Sequence, residues 1–324
     1  MAIIATALPV PAQQAGSPVD RSAPLVQYIN ADDYRVEFDG VEVNGYRHEA
    51  SVLSQPAISP YASAGPLPDA YWTWQLLPDG LLYRAYLAGM KESRLAGVWH
   101  YDQHAGWLLD ATLGGRVGLL RYGSVDARFA DGWQLDVEGA SFPRLNLEQE
   151  WDLDSADFRV GVPLTFARGP YRVKLAYYHL SSHLGDELAI RQPATLASRI
   201  NYSRDVVVVG MSYYPLPVWR LYGETGYAVA DDGGSEPWEF QFGVEFAPAC
   251  ADSYVGAPVI AVGAHLHEEV DFGGQLTAMA GWQWQGISGH TFRTGVHYLN
   301  GKSSQFQFFD QSEEHFGWGI WYDF

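Results

Sequence analysis

Apolar and polar positions alternate strictly along this chain, in strand-length segments that recur from about residue 93 to the C-terminus. Trp238, Phe240, Phe242, Val244 and Phe246 oppose Glu239, Gln241, Gly243 and Glu245. Leu276, Ala278, Ala280, Trp282 and Trp284 oppose Gln275, Thr277, Gly281, Gln283 and Gln285, and Phe158, Val160, Val162, Leu164 and Phe166 oppose Arg159, Gly161 and Thr165. A period of two places successive side chains on opposite faces of a strand, so each segment has one apolar and one polar or small face. Soluble sandwiches alternate too, but not usually with so aromatic an apolar face over so many segments. The repeat suits strands that face lipid on one side and a polar lumen on the other.

The segments fall at about 93–102, 105–122, 131–142, 155–167, 170–183, 199–212, 217–230, 236–248, 257–269, 273–286, 289–299 and 314–324, twelve in all. Bacterial single-chain barrels need an even number. The expected fold is all-β: a transmembrane antiparallel β-barrel of about 12 strands over residues 81–324. With the C-terminus in the periplasm, short turns at 168–170 and 286–289 lie inside and longer connections at 184–198 and 300–313 lie outside. The inward parity carries Arg159, Arg172, Lys174, Arg220, Glu224, Glu239, Glu245 and Arg293. Opposite charges at that density in a narrow barrel pair across the lumen, which predicts a filled interior and not a wide pore.

Upstream, residues 13–80 are rich in Pro, Ser, Ala and Asp and alternate only briefly, as in Tyr34 to Phe38. They are expected to form an irregular N-terminal periplasmic extension. Residues 1–12 look like the tail of a signal peptide without its positively charged start.

Composition narrows the function. Aromatics make up 15% of the 324 residues and charged residues only 18%. There is no apolar run of the ~18 residues a spanning helix needs, so any crossing is made by strands. A net charge of −18 excludes nucleic acid as a partner, because a phosphate backbone requires a basic surface. The single cysteine, Cys250, cannot form an internal disulfide and is given no role.

The last strand has Phe316, Trp318, Ile320, Tyr322 and Phe324 on one face and His315, Gly317, Gly319 and Asp323 on the other, with Trp321 the exception. This ending resembles the C-terminal sorting signal of bacterial outer-membrane barrels through Gly319, Tyr322 and Phe324, although Gly317 stands where that signal usually has a polar residue. The resemblance implies the outer membrane of a Gram-negative-type bacterium, its lipids as surroundings, and its assembly machinery as a partner of the last strand.

One segment carries candidate chemistry. If Arg172, Lys174 and Tyr178 point inward, then Val173, Leu175, Tyr177, His179, Ser181 and His183 point outward, so polar residues interrupt a lipid-facing stripe. In the next segment the odd parity also faces out, which puts Asn201, Ser203 and Asp205 on the same face. Ser181 should pair near 201–203, with Cβ atoms about 4.5–5.5 Å apart across the strands. An imidazole beside a hydroxyl can act as its general base, and an adjacent Asn or Asp can hold the imidazole's tautomer. The other reading of the same residues is an interfacial girdle that touches lipid head groups without chemistry.

The stretch from Leu81 to Phe324 resembles a family of outer-membrane barrels of unknown function, through Gly114 to Gly123 and Tyr178 to Glu187. More distantly, His179-Leu180-Ser181, followed by Ser198-Arg199-Ile200-Asn201, is similar to the motif of the outer-membrane phospholipase A family. That resemblance implies a twelve-stranded barrel hydrolysing lipid acyl esters, with His179 as base, Ser181 as nucleophile and Asn201 as orienting amide. It also implies Ca²⁺ bound near Asp186 and Glu187, since Ca²⁺ takes carboxylate oxygens. Ser182-His183 departs from that family's pattern after the serine, and Asn201 lies farther along than the family's spacing. A structural or lipid-binding barrel and a narrow channel remain the alternatives.

Overall fold

The structure, a computed structural model, describes residues 72–324 apart from 104, 126–129, 198, 249–253 and 287–288. The expected signal peptide at 1–12, most of the extension at 13–80, and Cys250 lie outside the described residues.

Twelve antiparallel strands close into a barrel, as the alternation predicts. They are β2 (Leu95–Asp102), β3 (Gly106–Gly123), β4 (Gly132–Asn146), β5 (Asp152–Arg168), β6 (Tyr171–Leu184) and β7 (Ser203–Leu216), then β8 (Trp219–Asp232), β9 (Trp238–Phe246), β10 (Ala257–His267), β11 (Gly274–Gln285), β12 (Thr291–Lys302) and β13 (Ser312–Asp323). Each pairs with its neighbours in sequence, and β13 pairs with β2 to close the cylinder, with Trp318 opposite Trp99 and Tyr322 opposite Leu95. A thirteenth strand, β1 (Thr73–Leu76), lies antiparallel to the far end of β3, where Thr73 faces Gly123.

The parity expected from the sequence holds. In β5, Phe158, Val160, Val162 and Leu164 are exposed on the outer wall, while Asp157 and Thr165 are fully buried inside. The exception in the last strand, Trp321, has inward parity and is buried under the Arg293 guanidinium, 5.2 Å from the ring centroid. Its indole lies over Gly319, where an added Cβ would stand 2.3 Å from the ring. Only glycine leaves room for that ring two residues along the same face.

The lumen is filled by the expected ion pairs and also by residues 81–94, whose insertion the sequence did not predict. Lys174 Nζ stands 2.5 Å from Glu224 Oε2, Arg159 Nη2 3.2 Å from Glu138 Oε1, Arg220 Nη1 3.3 Å from Glu245 Oε2, and Arg293 Nη2 2.8 Å from Asp323 Oδ2. Residues 81–94, expected to lead directly into the first barrel strand, instead cross the interior, and Tyr83, Tyr86, Ser93 and Arg94 are buried there. An irregular backbone has no ladder partners and must find others when buried. The lumen's charged side chains supply them: Arg220 donates to Arg84 O (2.9 Å) and Ala85 O (3.0 Å), and Arg159 to Lys91 O (2.7 Å). Glu245 Oε1 accepts the Leu87 N–H at 2.7 Å. The Tyr86 ring stacks on Tyr222 at 3.9 Å, and its hydroxyl donates to Glu224 at 2.6 Å.

Connections at the end of the barrel away from Phe324 include the long 185–202 and 303–311, as expected. At the other end the turn at 169–170 is short, as expected, as is 217–218, and the connections 124–131 and 247–256 are longer.

Candidate active site

β6 and β7 pair without a break from Tyr171–Tyr213 to Ser181–Ser203. That register sets His179 directly opposite Asp205 and Ser181 opposite Ser203. The inward neighbours confirm which way each points: Ser182 is buried and hydrogen-bonds Asp157 in the lumen, and Arg204 is buried as well. His179, Ser181, Ser203 and Asp205 therefore share the outer face, near the end of the barrel that bears the 185–202 connection.

His179 Nδ1 stands 2.9 Å from Asp205 Oδ1, and the same oxygen accepts the Tyr177 hydroxyl at 2.7 Å. An ionised carboxylate only accepts, so Nδ1 carries a hydrogen, and in the neutral imidazole the lone pair therefore sits on Nε2. A base in that tautomer can take a proton from a hydroxyl. Both groups are accessible, with 42% of the His179 side chain and 32% of that of Asp205 exposed. Among the described residues no hydrogen bond joins Ser181 Oγ to the ring. Productive contact needs a side-chain rotation that brings Nε2 within about 2.6–3.2 Å of Oγ.

Asn201, given the orienting role by resemblance, is not beside the imidazole. It precedes β7, is exposed, and its Nδ2 donates to Asp232 Oδ2 at 3.2 Å. The turn folds closely around it: Gly233, at φ +69°, leaves no room for a Cβ, which would stand 2.4 Å from the Asn201 carbonyl carbon. The residue that holds His179 is Asp205, which the parity of the strand had already placed on this face.

Asp186 and Glu187 are exposed in the first turn of a short helix, α1 (Asp186–Arg191). Carboxylates there favour the free backbone N–H groups of a helix start. They join no cluster of three histidine, cysteine or acidic residues suited to an ion among the described residues. His183 also points outward, edge-on to Phe158 at 5.6 Å.

Residues 67–324 match a family described as a protein of unknown function, DUF1207, and the chain belongs to it. No curated protein matches the chain. Among solved structures it is similar to outer membrane phospholipase A from Escherichia coli and to an active-site mutant of that protein at pH 6.1. Each is 12% identical, covers 74% of this chain and 91% of that one, and has a TM-score of 0.46. A likeness at that level carries nothing about activity.

Proposed function

We propose that this protein is an outer-membrane β-barrel whose outer rim carries a serine-type site for hydrolysing lipid acyl esters. Membrane insertion is supported by the exterior. Val160, Val162, Leu164, Val173, Leu175, Val207 and Val209 are exposed on adjoining strands, and the apolar belt continues round the barrel through Leu221, Phe242, Ile260, Leu276, Val296 and Trp318, whereas soluble monomers rarely expose a large contiguous apolar surface. Aromatic pairs flank that belt at both ends: Trp133 with Phe166, Tyr171 with Tyr213 and Trp219 with Phe246 toward the C-terminal end, Tyr101 with Trp107 and Tyr227 with Trp238 toward the other. Two aromatic girdles around an apolar band are the pattern of a barrel seated between two interfaces. The filled lumen speaks against a channel.

The observation that carries the hydrolase is the His179–Asp205 pair at 2.9 Å beside Ser181, facing outward at the upper edge of the belt. In this reading Asp205 fixes the tautomer, His179 Nε2 takes the Ser181 proton, and Oγ attacks an ester carbonyl presented from the membrane. The carbonyl–alkoxy bond breaks as the imidazolium returns that proton to the departing alcohol, and a water deprotonated by His179 then hydrolyses the acyl-enzyme to free fatty acid and restores Ser181. A non-catalytic barrel that binds lipid head groups is the second reading, favoured by the unformed Ser181–His179 hydrogen bond. Purified protein in mixed phospholipid micelles, with and without Ca²⁺, separates the two. The hydrolase reading requires fatty-acid release that falls by orders of magnitude in Ser181→Ala and His179→Ala. The Ca²⁺ arm tests Asp186 and Glu187, since activity indifferent to Ca²⁺ leaves them as helix-start residues only.

A further inference from the structure

A second set of residues, inside the lumen and apart from the exterior site, has the composition of a metal centre. Near the end of β10, His265 and His267 point inward, and His267 pairs in register with Glu239 on β9. Their rings lie 3.9 Å apart at 53°, and Glu269 follows in the connection to β11. One ligand atom from each of Glu239, His265 and His267 falls within 4.8 Å of the others. His265 Nε2 stands 3.3 Å from Glu239 Oε2, and His267 Nδ1 3.6 Å from Glu269 Oε1. Ligands ~2.0–2.1 Å from a shared tetrahedral ion stand about 3.3–3.5 Å apart, so an ion needs only small side-chain adjustments.

Two tyrosines hold the carboxylates as outer partners of a metal centre do. The Tyr178 hydroxyl donates to Glu239 Oε1 at 2.6 Å, leaving Oε2 toward His265. The Tyr202 hydroxyl donates to Glu269 Oε1 at 2.7 Å, and Glu269 Oε2 has no partner among the described residues. His267 Nδ1, 3.6 Å from Glu269 Oε1, likewise has no hydrogen-bond partner among the described residues, although the residue is only 8% exposed. A buried polar atom left unpaired is costly and calls for an explanation. Arg204 does not supply it, because its Nη1 stays 3.8 Å from Glu239 and 3.9 Å from Glu269 and donates instead to the Tyr202 hydroxyl. Glu239 and Glu269 against the Arg204 guanidinium leave one net negative charge among the groups nearest the histidines; Lys91 and Lys302 also line the adjoining cavity, Lys91 paired with Asp157 and Lys302 donating to the Asp310 carbonyl. A cavity of about 10 Å³ adjoins the group, lined by His265, His267, Glu269 and Gln275, whose Oε1 is also unpaired. That is room for one ion or water.

We propose that Glu239, His265 and His267, with Glu269 at their edge, bind one divalent transition-metal ion of the zinc class at the mouth of the lumen. Imidazole with carboxylate selects such ions over Ca²⁺ and Mg²⁺, which prefer all-oxygen shells. A bound ion would tie β9 and β10 to the connection after β10. A second buried histidine group among the described residues, His100, Asp110 and His315, is the weaker candidate, since Arg144 already grips both Asp110 oxygens at 2.6 and 2.8 Å.

The test uses the full chain folded in detergent and stripped with a chelator, titrated with Zn²⁺ by calorimetry and with Co²⁺ by visible absorption. The expected result is one equivalent of Zn²⁺, intense d–d bands of a tetrahedral Co²⁺ site, at least tenfold weaker binding in His267→Ala and His265→Ala, and unchanged binding in His100→Ala. Heat-modifiable mobility on gels identifies folded variants. Should neither alanine variant fold, the wild-type Co²⁺ spectrum and His265→Gln decide. Substoichiometric Zn²⁺ in the wild type, undiminished affinity in a folded His265 or His267 variant, or loss confined to His100→Ala would each overturn the proposal.

Discussion

Asp205 and His179 face each other across the β6–β7 pair on the outside of the barrel, with Oδ1 2.9 Å from Nδ1. An ionised side chain on an exterior strand face is unusual, because the apolar belt next to it penalises charge according to depth. Here Tyr177 and His179 both donate to one Asp205 oxygen, which offsets part of that penalty. The pair fixes one imidazole tautomer, the property a general base needs.

Asp205→Ala should therefore lower fatty-acid release by roughly 10²–10⁴-fold, the range of a lost acid–base arrangement, while Asn201→Ala changes it less than about threefold. Initial rates in mixed micelles give both numbers. The reverse order would return the orienting role to Asn201.

The barrel was legible because alternation is a local property: each strand shows its parity without knowing its partners, and all twelve expected segments overlap observed strands. The site was legible in part. Parity put His179, Ser181 and Asp205 on one face, but choosing between Asn201 and Asp205 needed the register, which depends on how the 185–202 connection folds. Once Ser181 faces Ser203, His179 must face Asp205, and Asn201 falls beyond the strand. The inserted segment gave no signal, since residues 81–94 have no period and are held by arginines far along the chain, such as Arg159 and Arg220. The inward His265 and His267 pass along the sequence as ordinary members of a polar strand face, because Glu239 and Glu269 reach them only in the folded barrel.

Glu224 sits between Lys174 and Tyr86 in the lumen, 2.5 Å from Nζ and 2.6 Å from the hydroxyl. Glu224→Ala leaves the Lys174 charge buried without its partner and should destabilise the barrel by about 3–5 kcal/mol. Lys174→Met with Glu224→Leu should recover most of that loss. Urea unfolding followed by heat-modifiable gel mobility measures both.

The segment that fills the lumen should block conductance. Wild-type protein in planar bilayers is expected to show no steady open pore, whereas replacing residues 81–89 with a Gly-Ser linker should open one. Conductance that is equal in the two would mean the lumen is sealed elsewhere.

The connection 185–202 is expected at the cell surface, on the side opposite Phe324. A peptide tag inserted after Ala194 should be bound by antibody on intact cells. Binding only after the outer membrane is permeabilised would reverse the direction of every strand.

The most direct test of the catalytic account is covalent. The folded protein is treated with a long-chain alkyl phosphonofluoridate and the adduct is mapped by mass spectrometry. Because His179 activates the hydroxyl, the adduct should form on Ser181, slow markedly in Asp205→Ala, and vanish in a folded His179→Ala variant. No adduct on Ser181, or one that forms equally well without His179, would contradict an activated nucleophile and leave a barrel that meets lipid without chemistry.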